Sequence, residues 1–245
     1  MFSFKKHKIV IGGVLLLLVL LAILAWLLMV REKAAPNLLP QKIHYYGNPS
    51  VSVEQIRIKA FYVVPKNGAP FDGWLPRLEE SLKSIGRFHR LQFLGKSSIE
   101  ADIYPTPITM PAGIFNQKNT DAATLDALQK GIQKAINESP ENFSSFVKSA
   151  PNEYVVTLFL VEGENSGVRE NIFVFPRAML TDGEYRSYAD ALLYHHFAQT
   201  LGIPDLYDEA GRTSRSEGIM GFGKFMPIEL NFLPKSITRK MGLLE

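Results

Sequence analysis

The sequence predicts an α+β domain preceded by one N-terminal transmembrane helix. Three features of the 245 residues lead to this prediction. Residues 9–30 are a run of 22 residues without a charge. Strand-like and helix-like patterns then alternate along the chain, and the last long helical pattern, at 182–201, contains two adjacent histidines. No internal repeat interrupts this order, so one domain accounts for it.

Residues 9–30 are long enough to cross a bilayer, since at about 1.5 Å per residue they span about 33 Å. Lys5, Lys6 and Lys8 precede them. A cleavable signal peptide is the alternative, but its apolar core usually has about 7–15 residues and ends at a small-residue cleavage site. We therefore predict an uncleaved anchor and a single-pass membrane protein. The basic residues favour a cytoplasmic tail, 1–8, and an extracytoplasmic C-terminal domain.

Residues 31–49 are predicted to be a stalk between the anchor and the domain. They contain Pro36, Pro40 and Pro49 and have no sustained apolar period. The domain is predicted over residues 50–245.

The first half of the domain begins with a strand and a helix. Residues 53–64 alternate between apolar and polar side chains, which is typical of a strand. From Trp74 to Ile85, apolar residues recur at helical spacing. A second strand region is predicted at 90–104, in two pieces separated at Gly95.

The second half continues with a helix and two strands. Thr120 can cap a helix that extends to about Asn137. Residues 154–161 are almost continuously apolar, which is typical of a strand buried on both faces. A shorter strand is predicted at 172–175.

The last long helix is predicted over residues 182–201. Thr181 and Glu184 have the spacing of a capping box at its start. His195 and Gln199 are four residues apart, so they lie on one helical face. Two imidazoles at this spacing could bind one zinc ion, and a Glu beside the first could serve as general base.

The stretch HHFAQTLGIPDLYD, residues 195–208, resembles the HExxHxxGxxD motif of the metzincin zinc metallopeptidases. IMGFG at 219–223 resembles their methionine turn, around Met220. The resemblance implies the following positions: His195 as first metal ligand, His196 at the general-base position, Gln199 at the second-ligand position, Gly202 at the helix-ending turn, and Asp205 as third ligand.

The resemblance also implies a fold. Metzincins have a twisted mixed sheet with an antiparallel edge strand, packed on the active-site helix. Residues 171–175 would be that edge strand, which pairs with extended substrate by β-augmentation. A simpler alternative is that Gly202 and Pro204 only end a helix, as Gly and Pro commonly do. The matching residues on both sides favour the resemblance.

Two chemically essential residues of the motif are replaced. Gln199 is a weak zinc ligand, and His195 and His196 point about 100° apart on a helix. His44 and His89 could supply a further ligand, and Glu209 or Glu217 a base, but ordinary surface or buried polar roles suit them better. Zinc is therefore the candidate cofactor, and we expect no tight binding of it.

The leading interpretation is an anchored, metallopeptidase-like pseudoenzyme that binds a peptide or serves as a scaffold. Its predicted partners are the lipid bilayer and an extended peptide or envelope protein. The alternative is a divergent active zinc metallopeptidase with a non-standard ligand set. The net charge of +3 is not concentrated in a dense basic run, so nucleic acid is excluded as a partner. The absence of cysteine excludes disulfides, thiolate metal sites and a Cys nucleophile.

Overall fold

The computed structural model contains the candidate site and most of the predicted domain. It describes residues 45–48, 53–115, 122–138, 153–164, 166–206 and 218–242. The predicted tail 1–8 and span 9–30, and most of the predicted stalk, lie outside these residues.

The centre of the domain is a mixed sheet of six strands. Their order is β2-β1-β4-β6-β5, with β3 paired to the end of β1. All pairs are parallel except that of β5 with β6, which is antiparallel. The strands are β1 Gln55–Pro65, β2 Ser98–Ile103, β3 Ile108–Met110, β4 Tyr154–Val161, β5 Gly167–Arg169 and β6 Ile172–Pro176.

Five α-helices are described, and they cover both faces of the sheet. Because side chains alternate along a strand, Tyr62 of β1 faces one layer and Phe61 the other. The first layer contains α1 and α4, and the second contains α2. The helices are α1 Trp74–Gln92, α2 Ala122–Glu138, α3 Arg177–Thr181, α4 Ala189–Thr200 and α5 Lys235–Lys240.

The predicted fold class needs correction. Helices on both faces of a largely parallel sheet form an α/β arrangement, and α+β was predicted. Among the described residues, no helix combines the length and apolarity needed to cross a membrane. The prediction of a fold class with a transmembrane helix is therefore wrong for the chain as described, and the predicted span lies outside it.

The predicted antiparallel edge strand is also misplaced. Residues 172–176 form β6, an interior strand that pairs with β4 on one side and β5 on the other. The antiparallel edge strand is β5, which has three residues. A strand of this length is too short to show a periodic pattern in the sequence.

Two helix boundaries differ from the prediction. The helix predicted at 182–201 begins at Ala189. Residues 177–181 form a separate helix, α3. Thr181 does not cap the helix that begins at Ala189, since its hydroxyl accepts a hydrogen bond from Arg177 Nη1 at 2.7 Å. Helix α1 extends to Gln92, so the strand region predicted at 90–104 contains the single strand β2.

Candidate functional site

The candidate site is formed at the C-terminal end of α4. This helix is buried on nearly all sides, between α1 and the sheet, which explains its apolar sequence. Tyr154 of β4 donates a hydrogen bond to the carbonyl oxygen of Thr200 at 2.7 Å. The helix end is therefore fixed to the centre of the sheet.

Gly202 reverses the chain after α4. Its φ angle is +83°, a left-handed conformation that favours glycine. Its amide donates to the Gln199 carbonyl at 2.9 Å, and the Ile203 amide donates to the Ala198 carbonyl at 3.3 Å. Bonds of this kind satisfy the last carbonyls of a helix. The turn brings Asp205 back against α4.

His195 is buried and has a partner at each ring nitrogen. Nδ1 is 3.0 Å from the carbonyl oxygen of Ile219, and Nε2 is 3.1 Å from Oδ1 of Asp205. A carbonyl only accepts, so Nδ1 carries a hydrogen. Because two lone pairs would repel each other, the contact between Nε2 and Asp205 Oδ1 also needs a hydrogen, on the imidazole or on the carboxyl group. A histidine whose Nδ1 donates to a carbonyl has the ring orientation in which metal-binding histidines are usually held.

Gln199 joins the same carboxylate oxygen. Its Nε2 donates to Oδ1 of Asp205 at 2.8 Å. The structure therefore brings together the three residues at the predicted ligand positions, through direct contacts with Asp205 Oδ1. We call His195, Gln199 and Asp205 the polar triad.

His196 lies beside the triad. Its ring is 5.5 Å from the His195 ring, and it contacts the Phe175 ring edge-to-face at 5.7 Å. Burial, with smaller contributions from His195 and Lys224, lowers the pKa of His196 to about 4. Among the described residues, its buried Nδ1 atom has no hydrogen-bond partner. At neutral pH this ring is uncharged, unlike a carboxylate in the same position.

The predicted methionine turn lies directly beneath the triad. Gly218–Met220 is a short 3-10 turn whose three residues are buried. The Met220 carbonyl accepts from the Leu206 amide at 3.0 Å, next to Asp205. Gly218 has φ +63°, and a Cβ there would collide with the Phe232 carbonyl. No sequence pattern predicts the Ile219 carbonyl that contacts His195, because a backbone partner leaves no side-chain pattern.

The residues present do not fit a catalytic zinc site. Such a site needs about three protein ligands and an open water position. Within the described parts of the chain, no group of three His, Cys, Asp or Glu side chains could hold a metal ion. Only His195 and Asp205 offer good donors, because the Gln199 amide is directed at Asp205.

His89, the one other candidate ligand that the structure describes, does not complete the site. His89 is fully buried, and its ring nitrogens contact the hydroxyls of Tyr194 at 3.0 Å and Ser97 at 2.7 Å. Burial lowers its pKa to about 3. Both nitrogens are thus used within the core. His44 and the carboxylates at 209 and 217 lie outside the described residues.

No protein-family model matches the chain, and no curated protein sequence does. Solved structures give weak matches. Archaemetzincin from Methanopyrus kandleri is 13% identical, with a TM-score of 0.42 over 76% of this chain and 93% of that one. Catalytically inactive OgpA from Akkermansia muciniphila, in complex with an O-glycopeptide substrate, is 14% identical, with a TM-score of 0.42 over 84% of this chain. Wild-type OgpA gives 14% and 0.43 over 83%.

The chain spans 63% of the length of either OgpA structure. At these identities and TM-scores, the likeness places the chain in no family. The site is therefore described by its own residues: His195, Gln199 and Asp205 form a polar triad at the positions where the sequence resemblance predicts metal ligands.

Proposed function

We propose that the domain is a metallopeptidase-like binding module that works without a metal ion. The observation that carries the proposal is the convergence of Gln199 Nε2 and His195 Nε2 on one oxygen of Asp205. Buried polar groups need partners, and here the residues at the three ligand positions partner one another. The site is thus closed by hydrogen bonds between side chains that would otherwise face a cation.

The general-base position supports the same proposal. A carboxylate at this position would accept a proton from water and would also carry a negative charge towards a cation. His196, whose pKa burial lowers to about 4, is uncharged at neutral pH and lacks that negative charge. It packs against Phe175 and behaves as part of the wall beside the triad.

The binding surface that we propose is the edge strand β5. Its one strand partner among the described residues is β6, so its other side is available for pairing. Strand β5 also packs against α4, which holds the triad. An extended peptide or an envelope protein segment could add a strand there by β-augmentation. The pairing strand is thus 167–169, in place of the predicted 171–175.

Zinc content tests the metal-free state. The full-length protein, purified without a polyhistidine tag, is incubated with zinc, freed of excess and assayed for bound zinc. The wild type and the His195→Ala variant are expected to hold equally little. Near-stoichiometric zinc that is lost in His195→Ala would overturn the proposal.

A double variant, His196→Glu with Gln199→His, provides the matched comparison. It restores the HExxH pattern on α4, so it should bind zinc through His195, position 199 and Asp205. Zinc in this variant and none in the wild type would show that the side chains at positions 196 and 199 determine whether zinc binds. No zinc in either protein would contradict the idea that these are metallopeptidase ligand positions.

The second candidate, a divergent zinc metallopeptidase, is favoured by the orientation of His195. Its Nδ1 hydrogen bond directs Nε2 at Asp205, and the buried His196 Nδ1 has no partner in the described chain. Peptide hydrolysis by the wild type that requires zinc and is abolished in His195→Ala would establish this candidate.

A further inference from the structure

A second surface of the domain carries exposed apolar side chains close together in the fold. Among the described residues, eight large apolar side chains are exposed, and seven of them lie at the end of α1 or after the methionine turn. We call these seven the apolar patch: Leu91, Leu94, Phe222, Phe225, Met226, Leu230 and Phe232. Leu94 is 75% exposed and Leu230 is 68% exposed, so most of the surface of both side chains is in contact with solvent.

The two segments of the patch are joined where the later segment runs along α1. The amide of Leu233 donates to the side-chain oxygen of Gln92 at 2.8 Å, which joins the later segment to the end of α1. The turn Ile228–Leu230 also packs against α1. Asn231 Nδ2 donates to the carbonyls of Gly223 and Pro227, both at 2.9 Å, and holds the later segment in shape. The patch is therefore preformed.

Leu94 is held in an unfavourable backbone conformation. Its φ angle is +53°, in the left-handed region where a bulky residue is an outlier. Glycine or asparagine normally serves at this position after a helix. Exposure and backbone strain together mean that stability does not account for a leucine here. Strain of this kind commonly occurs at functional positions.

The chain segments that carry the patch are basic. Residues 87–96 and 222–240 contain seven Lys or Arg and one acidic residue, Glu229, which lines a groove together with Asp72, Glu80 and Asp190. Lys224 lies over the Phe225 ring, with Nζ 5.6 Å from the ring centre. Protein interfaces are depleted in lysine, whereas lysine beside aromatic and leucine side chains is typical of surfaces that lie on a membrane. Basic residues are attracted to anionic lipid headgroups.

We propose that the apolar patch is a membrane-contact surface that rests on an anionic lipid bilayer. Leu91, Leu94 and the phenylalanines enter the boundary between headgroups and acyl chains, and the surrounding lysines and arginines contact lipid phosphates. The patch adjoins the site, since Phe222–Phe225 packs against α4. The proposal uses neither the triad nor β5, so it does not depend on the proposed function.

The absence of cysteine allows a site-specific test in the full-length protein. A Phe232→Cys variant carries an environment-sensitive fluorophore in the patch. A matched Lys134→Cys variant carries it on α2, at a 73% exposed position on the opposite face of the sheet. Both are mixed with vesicles of phosphatidylcholine alone or with about one third phosphatidylglycerol, containing nitroxide-labelled lipid as quencher. Each label reports its own position, so attachment of another part of the chain does not mimic the result.

The label at 232 is expected to be quenched on anionic vesicles, while the label at 134 is not. Adding Arg90→Ser and Lys96→Ser should weaken the vesicle affinity measured at 232 by about fivefold for each charge removed. Equal quenching at 232 and 134, or no dependence on anionic lipid, would overturn the proposal. So would protection of the label at 232 that appears without vesicles and rises with protein concentration, because a second copy of the chain would then cover the patch.

Discussion

Replacing Gln199 with methionine tests whether the polar triad forms in solution. The variant keeps the length and the apolar stem of the side chain and removes the hydrogen bond to Asp205, which is 2.8 Å long and partly buried. Hydrogen bonds to charged groups contribute about 1.5–3 kcal/mol, and partial exposure places this one near the lower value. A loss of about 1.5 kcal/mol should lower the unfolding midpoint by about 3–6 °C in a domain of this size.

Urea unfolding gives the free energy for a double-mutant cycle of Gln199→Met and Asp205→Leu, in the presence of a zinc chelator. If the two side chains interact as described, the double variant should be more stable than the sum of the single changes predicts, by about 1 kcal/mol. A Gln199→Met protein within about 0.3 kcal/mol of wild type would show that the bond does not form, and the metal-free explanation of the site would fail.

Three further outcomes are expected. Gly202→Ala should lower the free energy of unfolding by about 1–2 kcal/mol in urea, because the left-handed conformation strains any residue with a Cβ; an unchanged value would contradict the turn. His89 and His196 have folded pKa values of about 3 and about 4, so the unfolded chain binds more protons and stability should fall by about 1.2 kcal/mol for each histidine from pH 6 to pH 5. A flat profile over that range would mean that both rings are solvated in the folded protein. Leu94→Asn should raise the unfolding free energy by about 1 kcal/mol while it weakens vesicle binding; lower stability would contradict the strain at this residue.

The strands that are long and strongly patterned could be predicted from the sequence. Residues 154–161 were predicted as a strand buried on both faces, and they form β4 in the middle of the sheet. The strand predicted at 53–64 is β1, displaced by one or two residues. Both signals are local, because burial on two faces requires an apolar run in the strand itself.

The wrong predictions are those of a helix start and an edge strand, and in both cases tertiary contacts determine the structure. The capping-box spacing of Thr181 and Glu184 was a valid local signal, but Arg177 takes the Thr181 hydroxyl and the chain makes a turn before α4 begins. Strand β5 is recognisable only through its pairing with β6. The local sequence predicts neither Arg177 as the partner of Thr181 nor β6 as the partner of β5.

For the candidate site, the i, i+4 spacing of His195 and Gln199 and the metzincin resemblance together predicted which residues would lie near one another. His195, Gln199 and Asp205 do lie in contact, and the residues of the methionine turn lie beneath them. Their roles stay predictions. The sequence could not show that Gln199 would direct its amide at Asp205, since an amide can also present its oxygen.

The two departures from the metzincin motif have one electrostatic consequence. In an HExxHxxGxxD site, two carboxylates lie beside a dication. Without that cation, two carboxylates would repel each other in a partly buried place. Here His196 replaces one of them, and the other, Asp205, receives a hydrogen-bond donor from Gln199. Relative to the motif that the sequence resembles, both residues therefore favour the metal-free state that we propose.

This reasoning predicts that His196→Glu alone is destabilising when zinc is absent, since the new carboxylate would be within electrostatic reach of Asp205, which already influences His196. The loss should diminish at pH 4, where one of the two carboxylates is protonated, when each protein is compared with wild type at the same pH. It should also diminish when Gln199→His is added together with zinc, because a bound dication reverses the sign of the interaction. An unchanged stability of the single variant in chelator would mean that position 196 does not sense the charge on Asp205, and the electrostatic link between the two departures would be refuted.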